Sequence, residues 1–161
     1  IKGTHIAIKV AQETGRKLII AGNIPSEYQA YFAKEVQPHL DDRITYAGPV
    51  NDAEKNELLG KSAAFLMPIE WNEPFGIVMA EALACGTPVI GFNRGSVPEV
   101  VKHGINGFGC STLDEMVAFT RRINEIDRTK ARKDAEDRFS SNVIVDQYLT
   151  IYNNLIKRKT E

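Results

Sequence analysis

An α/β fold with a parallel sheet covered by helices on both faces is predicted by three observations. Short apolar runs of strand length alternate with helical patterns along the chain. The runs are continuously aliphatic, as in strands buried on both faces. Glycine, proline or asparagine stands at most of the junctions between them.

Taken in order, Thr4 is positioned to cap a helix carrying Ile6, Ala7, Val10 and Ala11, which ends at Gly15. Residues 17–21 read as a buried strand, and Gly22-Asn23 turns the chain. Ser26 opens a helix carrying Tyr28, Tyr31, Phe32 and Val36, stopped near Pro38. Residues 44–47 form the next strand, broken by Gly48-Pro49; Asn51 or Asp52 then caps a helix through Leu58-Leu59. A third strand covers 63–67, followed by the loop Pro68–Pro74 and an apolar helix over 75–85. Strands are expected at 87–92 and 106–110, flanking one helical turn at 97–101 with Pro98 at a tolerated early position. Helices over 112–126, 129–139 and 141–157 close the chain, the last amphipathic through Val145, Tyr148, Leu149, Tyr152 and Leu155. The expectation is one sheet of five to six strands with the C-terminal helices packed on it.

Size and composition bound the rest. With 161 residues, 43% hydrophobic and 25% charged, the chain has the makeup of one globular domain with a real core. A net charge of −1 excludes a basic footprint for nucleic acid or an acidic membrane surface. No apolar run reaches the roughly 20 residues of a membrane span. Cys85 and Cys110 lack metal-ligand spacing and read as reduced thiols, which fits a cytoplasmic setting. Residues Ile1 to Gly3 lead straight into a helical pattern, whereas a βα repeat begins with a strand. The first strand is therefore expected to be truncated or to lie upstream.

One charge stands out. Between Pro74 and Phe92 the only charged side chain is Glu81. An unpaired carboxylate in so apolar a helix costs several kcal/mol, so the protein or a ligand must satisfy it. Glu73 precedes the same helix, just before Phe75-Gly76. In open α/β sheets ligands bind beyond the carboxyl ends of the strands. A helix start there offers free N–H groups and a positive dipole end, which suits phosphate. Phe75, Gly76 and Ile77 are placed to supply those N–H donors. Glu81 falls about five residues into the helix, roughly 7–8 Å along its axis. Carboxylates at both ends and a phosphate site between them suit an extended ligand with hydroxyls at each end, such as a nucleotide sugar. The bland readings are a solvated loop carboxylate for Glu73 and an internal Lys or Arg partner for Glu81.

The segment Glu73-Pro-Phe-Gly-Ile-Val-Met-Ala-Glu81 followed by Ala82-Leu-Ala-Cys-Gly-Thr-Pro-Val89 resembles the E-x7-E signature of the family 4 (group 1) retaining glycosyltransferases. Arg94-Gly-Ser-Val-Pro-Glu-Val-Val101 is similar to that family's G-G-x-P-E-x-V segment, and His103-Gly-Ile-Asn-Gly107 to its D-G-x-N-G turn. The resemblance implies a Rossmann-like sheet forming the C-terminal half of a GT-B fold, with residues 1–161 as the nucleotide-sugar donor-binding domain. It implies that Glu73 and Lys2 are catalytic, meeting the donor sugar and the departing diphosphate. It further implies donor contacts from Phe75, Gly76, Ile77 and Glu81, with Glu81 on the ribose and Pro49-Val50 near the base. The implied substrate is a nucleotide-diphosphate sugar, with no metal and no other cofactor. The implied partner is an N-terminal acceptor-binding domain outside this sequence, without which the fragment is expected to be inactive. The family's arginine falls upstream of Ile1, and Arg94 stands where the family has a small residue. A GT-B nucleotide-sugar epimerase and a non-catalytic nucleotide-sugar-binding module stay open beside transfer of a hexose to an acceptor hydroxyl.

Overall fold

A computed structural model describes residues 2–160. Five strands pair only in parallel. They are β1 (Leu18–Ala21), β2 (Ile44–Gly48), β3 (Phe65–Met67), β4 (Val89–Phe92) and β5 (Gly107–Cys110). The single sheet expected from the sequence is divided in two among the described residues, β1-β2 and β3-β4-β5. Helix α1 (Thr4–Thr14) spans both. Its Val10 joins the larger core around Met67, Val89 and Ile90, while Ile8 and Ala11 join a smaller core with Val36 and Ile44. The β1 run is less buried than its composition suggests. Leu18 and Ile20 pack against the smaller core, but Ile19, pointing the other way, is half exposed.

The start of α1 is placed by a glycine. Gly3 has φ +71°, and a Cβ there would stand 1.8 Å from the carbonyl oxygen of Pro68. Only a residue without a side chain lets this turn lie against the chain leaving β3. Gly3, not Thr4, occupies the cap position, without a side-chain cap.

The helix expected over 26–38 is irregular. A 3-10 turn (Ser26–Tyr28), one α turn named α2 (Gln29–Tyr31), a π-helical segment (Phe32–Val36) and a second 3-10 turn (Gln37–His39) follow one another. Pro38 donates no N–H and its ring crowds the preceding turn, so a regular α ladder cannot run through it. By contrast α3 (Asp52–Lys61) starts as predicted. Asn51 accepts from the Glu54 N–H at 3.0 Å and Glu54 Oε2 accepts from the Asn51 N–H at 2.8 Å, a reciprocal cap.

The larger sheet is flanked by α4 (Ile77–Ala84), backed by α7 (Arg128–Phe139), and by α6 (Leu113–Arg121), backed by α1. A short α5 (Val97–Val100) lies between β4 and β5. The C-terminal helices do not all reach the sheet as expected. Helix α8 (Ser141–Thr160) packs on α7, and its Val145, Tyr148, Leu149 and Tyr152 are half exposed. Both cysteines are free thiols. Burial, helped by the nearby Glu115 charge, pushes the Cys110 thiol up to about 12.

Helix α7 is tied to the loop after α5 through Asp134. Its carboxylate accepts from Lys102 Nζ at 2.5 Å, Asn106 Nδ2 at 2.8 Å and Arg138 Nη1 at 2.8 Å. Burial alone would raise this carboxyl, but the three donors outweigh it and hold the group below its ordinary value of 3.8. A carboxyl lowered in the folded state stabilises above its unfolded value and loses that contribution as pH falls through the folded one. Replacing Asp134 with Ala should cost about 1.5–3 kcal/mol at neutral pH, the range for hydrogen bonds to a charged group. In thermal denaturation the gap to the unmodified protein should be widest near pH 7 and narrow below about pH 4.

Candidate functional site

The two sequence-marked carboxylates stand at the carboxyl end of β3, where the loop 68–76 turns into α4. Each is paired with a lysine from elsewhere in the chain. Glu73 Oε2 accepts from Lys2 Nζ at 2.6 Å, with the carboxylate side chain 13% exposed and the lysine 64%. The same ammonium lies 5.2 Å from the ring centroid of Trp71, the chain's single tryptophan. Lys2 reaches this place because Gly3 seats the start of α1 on Pro68.

Glu81 is not a lone buried charge. Its Oε1 accepts from Lys55 Nζ at 2.8 Å, and both side chains are about one third exposed, 32% and 31%. Lys55 also reaches Asp52 Oδ1 at 3.1 Å within α3. The hydrogen bond to Glu81, and then that to Asp52, raises the lysine above its ordinary 10.5. Of the readings left open for Glu81, the internal partner is therefore present, as a lysine at the edge of the protein. Nothing near Lys55 in the sequence marks it; the packing of α3 on α4 across 26 positions brings the two together. Pro49 and Val50, which precede α3, line an open depression with Glu54 and Leu58 of that helix, and no residue of α4 takes part in it.

Between the carboxylates, Gly76 sits in the left-handed region at φ 69° and forms the N-cap of α4 without a side-chain cap. Among the described residues, the N–H groups of Phe75, Gly76 and Ile77 make no hydrogen bond. Phe75 is partly exposed and its ring meets Phe139 edge-on at 5.7 Å; Ile77 is 67% exposed. The start of α4 thus presents open amides and a positive dipole end between two carboxylate–lysine pairs. This arrangement can accept an anion flanked by hydroxyl-bearing groups. Among the described residues no cluster of three or more His, Cys, Asp or Glu side chains could hold a metal. No described helix is long and apolar enough to cross a membrane.

Of the three histidines, His5 Nδ1 lies 3.0 Å from Tyr31 Oη, His39 Nδ1 lies 3.4 Å from Gln12 Nε2, and His103 packs edge-on against Phe108 and Phe119.

Comparison with known proteins places this geometry in context. The sequence profile of the glycosyl transferases group 1 matches residues 1–143. N-acetyl-alpha-D-glucosaminyl L-malate synthase of Bacillus anthracis is 33% identical over 157 residues, 92% of this chain and 40% of that protein. Glycogen synthase of Mycobacterium tuberculosis is 33% identical over 119 residues, 70% of this chain and 28% of its own length. The crystal structure of HepE from Anabaena in complex with UDP and glucose superposes with a TM-score of 0.83 at 24% identity, covering 95% of this chain and 45% of that one. The chain thus spans less than half the length of these relatives, and the structural likeness carries the Rossmann-like fold.

The Lys55–Glu81 pair sets a testable expectation for stability. A lysine raised in the folded state contributes fully below its unfolded value near 10.5 and loses the contribution as pH rises through the folded one. Because the pair is solvated, Glu81→Ala should leave thermal stability at neutral pH nearly unchanged. Nitrogen-detected lysine titration should show Lys55 returning toward its ordinary value in that variant.

Proposed function

The chain belongs to the group 1 glycosyl transferases, and from that membership we propose that it is the donor-binding domain of a retaining glycosyltransferase. The observation that carries the reading is the open start of α4 between Glu73 and Glu81, each with its own lysine. A nucleotide sugar fits that order of groups. Its diphosphate lies at the amides of Phe75, Gly76 and Ile77. Its ribose hydroxyls meet Glu81, its base lies beside Pro49-Val50, and its sugar hydroxyls meet Glu73. UDP and glucose in HepE, and the N-acetylglucosaminyl group in the name of the Bacillus anthracis relative, support a donor of this class.

In the full enzyme the transferred unit is a hexose and the anomeric configuration is kept. As the bond from the anomeric carbon to the diphosphate oxygen breaks, negative charge grows on the phosphate. The N–H groups of α4 face that charge in fixed positions and the Lys2 ammonium is close enough to join them, so together they stabilise the transition state more than the ground state. The Glu73 carboxylate lies on the sugar side, where positive charge develops. Binding requires Lys2 to exchange Glu73 for phosphate, which leaves Glu73 free for the sugar. A second domain, which this reading places upstream, holds the acceptor, whose hydroxyl oxygen bonds to the anomeric carbon and gives up its proton as the nucleoside diphosphate leaves, and the reaction runs in the cytoplasm. The single-sided pairing of β1 and of β3 among the described residues, with α1 spanning both sheets, supports a further upstream strand feeding α1 by a right-handed crossover.

Two substitutions test the assignment. Glu81→Ala should weaken nucleoside diphosphate binding by about 1.5–3 kcal/mol in calorimetry, the worth of a hydrogen bond to a charged group. Unchanged affinity removes Glu81 from the ribose site. Glu73→Gln should leave nucleoside diphosphate affinity nearly intact and lower kcat of the full-length enzyme more than it raises KM. Diphosphate binding should need no added divalent ion, and residues 1–161 alone should not transfer sugar.

A further inference from the structure

The loop that carries Glu73 makes its shape with the help of three consecutive residues after β4. Arg94 Nη1 donates to the carbonyl of Glu70 at 3.1 Å. Gly95 has φ +54°, and a Cβ there would stand 2.3 Å from the Glu73 carbonyl oxygen and 2.4 Å from the Glu73 nitrogen. Ser96, only 5% exposed, donates twice: its N–H to the Glu73 carbonyl at 2.9 Å and its hydroxyl to the Phe75 carbonyl at 2.7 Å. These contacts fall on the main chain at 70, 73 and 75, on both sides of the Glu73 side chain. Ser96 stands at the cap position of α5, yet its hydroxyl makes no cap bond there. It is turned away from its own helix toward the loop.

We propose that Arg94-Gly95-Ser96 is a clamp that positions the Glu73 carboxylate for the transferred sugar, with Ser96 as its central positioning residue. The inference rests on the donor-site reading above. The physical argument is one of direction. The loop has to keep Glu73 aimed at a sugar while its lysine partner leaves for phosphate, so the carboxylate cannot depend on Lys2 for its orientation. Main-chain bonds from Ser96 and the close fit of Gly95 hold the peptide on which Glu73 is mounted, whatever Lys2 does. The hydroxyl bond to the Phe75 carbonyl, two positions past Glu73, holds the far side of the same peptide, so the mount of Glu73 is fixed from both sides. Arg94, which takes the place of a small residue, serves the outer end of the same loop. Ser96 is nearly buried and both of its donors end on the loop, so it acts through Glu73.

The test is a double-mutant cycle in the full-length protein. UDP-glucose, GDP-mannose and ADP-glucose serve as probes, and the one that raises Tm most is used as donor. Turnover is read as release of nucleoside diphosphate, and the matching diphosphate is titrated by calorimetry. Ser96→Ala should lower kcat by about 10- to 100-fold, the scale of misplacing a reacting group by up to an ångström. Its diphosphate Kd should stay within about twofold, which is well under 1 kcal/mol. Ser96→Thr, which keeps the hydroxyl, should recover most of the turnover. Added to Glu73→Gln, Ser96→Ala should cost nothing more, because both act on one carboxylate. Additive losses, or a diphosphate affinity that falls as far as kcat, overturn the clamp and make the segment a general support. If Ser96→Ala unfolds the protein, Arg94→Ala enters the same cycle with the same expected non-additivity. A kcat unchanged in Glu73→Gln, or no probe raising Tm, overturns the donor reading itself. A loss in Glu73→Gln with none in Ser96→Ala overturns only the clamp.

Discussion

The loop from Pro68 to Gly76 is held in place from outside itself, and the rest of the site depends on that. It belongs to no helix or strand, so the chain around it must supply its order. Gly3 lies against Pro68, Lys2 reaches Glu73, and residues 94–96 take the carbonyls at 70, 73 and 75. These contacts come from the first turn of the chain and from the loop after β4, far apart in sequence. A parallel sheet brings them together because it delivers the carboxyl end of every strand to one edge. Ile69 in the loop, with Met67 and Met79 beside it, is buried, so the loop is anchored in the larger core.

The electrostatics at this edge are balanced in the resting chain. Glu73 and Glu81 each have a lysine within hydrogen-bond distance, and the pairs are of different kinds. Lys2 is mostly exposed and leans on Trp71, so its ammonium can move with little loss of packing. Lys55 is bound on two sides, to Glu81 and Asp52, and stands on a helix closed by a reciprocal cap. Partly solvated ion pairs contribute little to stability. Here they leave both carboxylates charged and hydrogen-bonded at the carboxyl end of the strands. The stability of the domain is carried instead by apolar packing and by fully engaged groups such as Asp134 and Asn106, which stand away from the carboxylates.

How far the sequence could be read follows from the range of each interaction. The alternation of strands and helices, the capping of α3 at Asn51 and the apolar helix after Phe75 all arise from neighbours in the chain, and all are present in the structure. The segment 26–39 was legible as helical, yet the break into 3-10, α and π turns depends on how Pro38 and the buried Val36 are reconciled with the smaller core. Ile19 reads as a core residue by type. Its exposure depends on which face of β1 the helices cover, and composition does not record that.

By itself the sequence determined the fold class and marked a candidate site: a carboxylate in an apolar helix start, with a second one before it, at the end of a parallel strand. These follow from hydrophobic period and residue type, which act over a few positions. The tertiary structure alone decided which groups surround those carboxylates. Lys55 is 26 positions from Glu81, Lys2 is 71 from Glu73, and Ser96 is 21 from Phe75. A hydrogen bond extends about 3 Å, whereas the chain can place residues so far apart in sequence almost anywhere. Only the crossing of α3 on α4 and the convergence of strand ends select these partners.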